Sequence, residues 1–364
     1  MIKLPGLIDP HVHVREPGQT HKEDWNTATQ AALAGGVTTI LAMPNTKPPI
    51  FDESTLNLVL DAAKGKARCD YGQFLGAGPD NANILPALAD KAAGLKMYLD
   101  STFGELRLDD MTLWTPHFIN FPKSSPIVLH SESRTMAAGI LFAAIYDRSV
   151  HIAHISLKEE ILLIKAAKER GIKVTCEVCP HHLFLTQPPP LPSQKSIGFG
   201  GGRGGGRSEV RPRLVTQQDV EALWENMDVI DCFATDHAPH TVEEKDSDNP
   251  PPGFPGLETL LPLLITAVDL GRLTLDDLIQ KSVINPRKIF NLPEQPETWV
   301  EVDENAEYEI KAENQFTRCG WTPFEGWKVK GKVRKVVLRG QVAFEDGKVL
   351  VEQGYGRNVR GLES

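Results

Sequence analysis

Short apolar runs rich in β-branched residues recur along the chain with helix-like segments between them. They are Leu7-Ile8, Val37 to Met43, Tyr71 to Ala77, Gly94 to Leu99, Ile127 to His130, Val150 to His154, Lys173 to Val178 and Val229 to Thr235. Runs this short and this continuously apolar fit strands buried on both faces, and about eight of them alternating with helices predict a parallel (β/α)8 TIM barrel. The intervening segments read as amphipathic helices with glycine stops: Lys22 to Ala34 ends at Gly35-Gly36, and Leu157 to Arg170 at Gly171. A length of 364 residues with 41% hydrophobic content supplies the core for one barrel plus an appendage. After Asn291-Leu292-Pro293 the pattern turns strand-like, with Val333 to Phe344, a turn at Glu345-Asp346-Gly347, and Val349 to Val351. The predicted organisation is a barrel over 1–292 and a small C-terminal β-rich subdomain over 293–364 packed on it. The chain opens at its first barrel strand with nothing before it, which suggests a segment of a longer polypeptide.

Polar and ionisable residues sit where the runs end. The first is followed by His11 and His13, the second by Pro44-Asn45; the fourth carries Lys96, the fifth and sixth end in His130 and His154, the seventh carries Glu177, and Asp236 follows the eighth. In such barrels the C-terminal strand ends build the active site.

The formal net charge of -9 gives no electrostatic footprint for nucleic acid. No apolar run approaches a membrane span and no signal-peptide pattern opens the chain, so it reads as a cytosolic globular protein that binds neither nucleic acid nor membrane. The five cysteines, Cys69, Cys176, Cys179, Cys232 and Cys319, are odd in number and scattered, which argues against a disulfide framework. Cys176-Glu177-Val178-Cys179 lies in an apolar run without a second pair at zinc-finger spacing and reads as core packing. The Pro- and Gly/Arg-rich stretch from about 187 to 208 cannot build a core and reads as a mobile loop.

In Asp9-Pro10-His11-Val12-His13-Val14-Arg15, side chains two apart in an extended segment point the same way, so two imidazoles can reach one metal ion while Arg15 continues the row toward an anion. A polar patch at a strand end gives the same H-x-H pattern. Lys96 stands inside an apolar run, where an ammonium is costly to bury. It either snorkels to solvent or is carbamylated into an anionic carboxylate able to bridge two cations. With His130, His154 and Asp236 the set supplies two zinc sites, with a hydroxide between the metals as nucleophile.

Asp9 to Gly18, Ala42-Met43-Pro44-Asn45-Thr46 and Thr235-Asp236-His237-Ala238-Pro239-His240 resemble the dihydroorotases of the amidohydrolase superfamily. Gly94 to Leu99 with Thr102-Phe103-Gly104-Glu105-Leu106-Arg107, and Trp321 to Gly326, are most similar to the dihydroorotase domains of multifunctional pyrimidine-synthesis proteins. The resemblance covers Leu4 to about Val359. It implies an amidohydrolase-type barrel and the reversible cyclisation of N-carbamoyl-L-aspartate to L-dihydroorotate. It implies a first zinc on His11, His13, Lys96 and Asp236 and a second on Lys96, His130 and His154, bridged by carbamylated Lys96 and hydroxide. Arg15, Asn45, Arg211 and His240 would hold the substrate, Asp236 would shuttle the proton, and Thr102 and Phe103 would form a loop closing over the site. It further implies a homodimer fused to carbamoyl-phosphate synthetase and aspartate transcarbamoylase domains.

One position departs from the family. In its animal form a Cys before the sixth-strand histidine joins a Glu matching Glu177 in an additional zinc site; here that position is Ala153, so a third zinc is expected to be weak or absent. Hydantoinases and dihydropyrimidinases share the barrel and metals, and fungal multifunctional proteins carry inactive dihydroorotase-like scaffold domains. Arg15, Asn45 and His240 favour a carboxylate-bearing substrate over the first alternative, and the complete ligand set favours activity over the second.

Overall fold

The computed structural model describes residues 1–187 and 205–360. Most of the Pro/Gly-rich stretch therefore lies outside the described residues. Eight parallel strands follow one another in sequence order around a barrel: β2 (Leu7–Val12), β3 (Val37–Ala42), β4 (Asp70–Gly76), β5 (Gly94–Tyr98), β6 (Ile127–His130), β7 (Val150–Ile152), β8 (Val174–Val178) and β9 (Cys232–Phe233). Consecutive parallel strands need crossovers, which the intervening helices supply.

Local sequence sets the helix starts. The first helix, α1, begins at Trp25 because the Asp24 side chain accepts from Thr27 N while Thr27 returns a bond to the Asp24 backbone. Its predicted start at Lys22 is thus three residues early, and its buried face is Trp25, Ala28, Thr29 and Ala31 to Leu33. The same reciprocal cap, Asp52 with Thr55, opens α2 (Glu53–Lys66). Such caps stabilise a helix start by about 1 kcal/mol each.

The seam between β2 and β9 is closed in part by side chains. His13 N donates to His237 O at 2.7 Å, and buried Asp9 accepts from Thr235 N at 3.1 Å and Thr235 Oγ1 at 2.5 Å. β9 spans two residues where the sequence suggested seven, because Asp231 and Thr235 spend their polar groups on such side-chain bonds: Asp231 Oδ2 accepts Cys176 N at 2.8 Å.

A second sheet runs antiparallel in the order β1 (Ile2–Pro5), β10 (Trp299–Glu309), β11 (Lys328–Leu338), β12 (Gln341–Glu345) and β13 (Lys348–Val349). Two expectations are corrected here. An element does precede the first barrel strand, and the small sheet draws on both sides of the boundary expected at 293, because Leu4 pairs with Val300 and buries its side chain. The sheet lies against helix Leu260–Asp269 so closely that a Cβ on Gly331 (φ +89°) would fall 2.7 Å from Ile265. All five cysteines are buried free thiols. Among the described residues no helix is long and apolar enough to cross a membrane.

Candidate active site

His11 is the last inward-facing residue of β2, and His13 follows once the strand has ended. Asp236 lies beyond β9, and its Oδ1 sits 3.3 Å from His11 Nε2 and 3.0 Å from His13 Nε2. The other ring nitrogens are held by oxygens: His11 Nδ1 lies 2.5 Å from Glu177 Oε1, and His13 Nδ1 lies 2.6 Å from Asn45 Oδ1. Asn45 Nδ2 donates to Phe103 O at 2.9 Å, which turns Oδ1 toward His13 and places the His13 proton on Nδ1. Burial lowers His13 to about 4, so near neutrality its Nε2 carries a lone pair aimed at a carboxylate oxygen. Two imidazoles and a carboxylate, with donor atoms within 4.8 Å of one another, fit a cation between them, and the oxygens behind the rings are the usual orienting partners of metal-bound histidines.

The second group adjoins the first. Ring centroids run from His13 to His11 at 5.4 Å, His11 to His154 at 5.3 Å and His154 to His130 at 4.6 Å. Lys96, fully buried on β5, faces them, and burial lowers it to about 8. Among the described residues Lys96 Nζ, His130 Nε2 and His154 Nδ1 have no hydrogen-bond partner. Buried polar atoms left this way cost several kcal/mol together; imidazole lone pairs recover that cost on a cation, and the Lys96 amine would do so only after conversion to an anion. The ligand types therefore fit the metal pair that the sequence suggested.

Glu177 is saturated by donors. Besides His11 it bonds His151 Nε2 at 3.1 Å and accepts from His154 N at 3.3 Å, while Ala153 packs in the barrel's inner apolar cluster with Ile8 and Val128.

Arg15, His154 and Asp236 all take left-handed backbone (φ +67°, +37° and +47°), a strained conformation for residues with a side chain. The left turn at Arg15 breaks the extended row expected from the sequence, yet its guanidinium reaches the site. Arg15 Nε donates to Pro239 O at 3.1 Å, and Nη2 lies 3.1 Å from His240 Nε2. Lys22 Nζ donates to His240 Nδ1 at 3.1 Å, which leaves the proton on Nε2 to be donated to Pro252 O at 3.0 Å. His240 then offers Arg15 no lone pair, and Arg15 Nη1 is buried without a partner among the described residues. The Arg15 guanidinium thus lines the cavity with Nη1 as an unmet donor.

Thr102, Phe103, Arg211, Tyr98 and Asn45 line the same cavity as the histidines. Phe103 lies edge-on to His240 at 5.0 Å with Lys22 Nζ 4.6 Å from its ring centre. Arg211 is part-exposed, its Nη1 donating to Glu209 Oε2 at 2.9 Å. The sequence reading missed Lys22 and Tyr98. Tyr98 follows Lys96 by two in β5 and so faces inward with it, a signal that strand alternation could have given. Lys22 gave none, since a lysine near a helix start is ordinarily solvated. A larger cavity, about 810 Å³, lies at the opposite end of the barrel beside Pro126, Thr175 and Asp231.

Residues 2–101 match the amidohydrolase family. The chain is 59% identical over 360 residues to multifunctional protein CAD of Squalus acanthias, covering 99% of the chain but 16% of that protein's length. It is 38% identical to the dihydroorotase of Pyrococcus abyssi, covering 96% of the chain and 85% of that protein. It superposes with TM-score 0.80 and 30% identity on the inactive dihydroorotase-like domain of a Chaetomium thermophilum CAD-like multifunctional protein, covering 98% of each. With the barrel, the histidine and aspartate cluster and these relatives in hand, the chain belongs to the dihydroorotases of the amidohydrolase family.

Proposed function

We propose that this chain catalyses the reversible cyclisation of N-carbamoyl-L-aspartate to L-dihydroorotate, with His11, His13, Lys96 and Asp236 holding one zinc and Lys96, His130 and His154 a second. The observation that carries the reading is the buried, unpartnered Arg15 Nη1 opening beside the His11–His13–Asp236 cluster. A planar fork of donors in a buried wall suits a carboxylate, which dihydroorotate bears and simple cyclic amides lack. Carbamylation of Lys96 would convert a fully buried, unpartnered amine into an anion that two cations satisfy. When bound, the metal pair would lower the pKa of water and polarise the ring carbonyl.

The chain's own groups divide the remaining work. Arg15 and Arg211 take the substrate carboxylate, and Asn45 and His240 orient the ring. In ring opening, water oxygen bonds to the ring amide carbon, the carbon–nitrogen bond breaks, and Asp236 carries the water's proton to the leaving nitrogen; cyclisation retraces the path. Thr102 and Phe103 cover the site and exclude bulk water. Glu177 orients His11, and with Ala153 beside it no third zinc sits between them. Barrel and β-rich subdomain form a homodimer in the cytoplasm, fused to carbamoyl-phosphate synthetase and aspartate transcarbamoylase domains. Parallel assays of ring opening on dihydroorotate and on dihydrouracil test this reading: it expects turnover of the first only, and turnover of dihydrouracil alone would make the chain a hydantoinase-type amidase.

A further inference from the structure

The end of β8 carries a second set of metal-type ligands that the reaction does not use. Cys179, His181 and His182 are each at most 3% exposed, and one donor atom from each lies within 4.8 Å of the others. Local sequence explains the convergence. Cys179 precedes Pro180, which opens the one-turn helix Pro180–Phe184, and that turn brings the side chains two and three residues on back beside the thiol. Cys176 points elsewhere, with its Sγ 3.6 Å from Val229 O.

The nitrogens are left in an unusual state. His182 Nε2 donates to Pro212 O at 3.2 Å, which fixes the proton there and leaves a lone pair on Nδ1. Among the described residues His182 Nδ1 and His181 Nε2 are buried without a partner. A ring whose far N–H is held by a backbone carbonyl while its near nitrogen is bare is the arrangement of a metal-bound histidine.

We infer that Cys179, His181 and His182 form a mononuclear site for a thiolate-preferring divalent cation of the zinc class, separate from the dinuclear centre. Small side-chain rotations bring the donors to the roughly 3.4–3.6 Å separations of a tetrahedral Cys/His site, and water fills the fourth position. Binding releases the thiol proton to solvent as the sulfur–metal bond forms. The ion would tie β8 to Pro212, the residue after Arg211, and so brace the segment that carries that guanidinium. The site departs from the expectation of no third ion, which rested on Ala153 and Glu177; the thiol here stands at position 179. It stands independently of the proposed activity.

Cobalt titration of the metal-free chain tests it, because none of the ligands assigned to the dinuclear centre is a thiolate. A near-ultraviolet thiolate-to-cobalt charge-transfer band with the intensity of one cobalt–thiolate bond per chain is expected once cobalt is in excess, lost in Cys179→Ser, at least halved in His182→Gln and kept in Cys176→Ala. Cobalt uptake without the band, or a band that survives Cys179→Ser, would overturn the site. The wild-type spectrum decides alone if a variant does not fold.

Discussion

Asn45 joins His13 to Phe103: its Oδ1 lies 2.6 Å from His13 Nδ1 and its Nδ2 donates to Phe103 O at 2.9 Å. One amide just beyond β3 thereby sets the tautomer of a metal-type ligand and ties it to Phe103 in the cavity wall. Asn45→Ala should lower kcat/KM for dihydroorotate by about 10–100-fold and weaken zinc retention, the usual effect of removing a ligand's orienting partner. Steady-state kinetics with zinc analysis after dialysis checks both; unchanged zinc retention would remove Asn45 from the support of His13.

Arg15 is buried, with Nη1 unmet among the described residues and Nη2 beside His240. Arg15→Lys keeps the charge and loses the fork. It should cost kcat/KM about 100-fold, or about 2.7 kcal/mol, expressed mainly in KM. A loss confined to kcat would place Arg15 elsewhere than on the carboxylate.

Lys245 is fully buried, its Nζ donating to Glu209 O at 2.7 Å, Pro251 O at 2.9 Å and Gly253 O at 3.2 Å. Its three donors thus fasten the segment before Arg211 to the loop behind His240, with Phe254 and Trp321 flanking the ammonium. Lys245→Met strands these carbonyls and should destabilise the chain by about 2–3 kcal/mol in urea denaturation.

His117 is buried, and its Nε2–H donates to Gly78 O at 2.9 Å. Burial lowers its pKa below 6.5 despite that bond. The unfolded chain therefore binds the proton more readily, and stability falls as pH drops below about 6.5. His117→Gln keeps a donor and removes the titration. Urea midpoints at pH 7 and pH 5 should drop more in the wild type than in the variant; equal drops would contradict the assignment.

What could be read from the sequence follows from how local each signal is. His11, His13 and Asp236 announce themselves because strand ends, imidazoles and a carboxylate recur at barrel spacing. Arg15 lines the cavity by a geometry other than the expected extended row, which its left-handed backbone interrupts. Lys22 stayed hidden because its partners, His240 and Glu244, arrive from over two hundred residues away. Cys176 and Cys179 share one apolar run in the sequence, yet their spacing of three residues sends the two thiols to different surroundings. Leu4 is as apolar as Leu7, so composition alone does not separate β1 from the first barrel strand, and its pairing with Val300 assigns it to the other sheet.

The most direct measurement is dihydroorotate ring opening by the purified zinc-loaded chain, with Lys96→Ala as the blank. The account predicts turnover in the wild type that vanishes in the variant. No turnover in the zinc-loaded wild type would contradict it and place the chain beside its inactive structural relative; undiminished turnover in Lys96→Ala would contradict the bridging role.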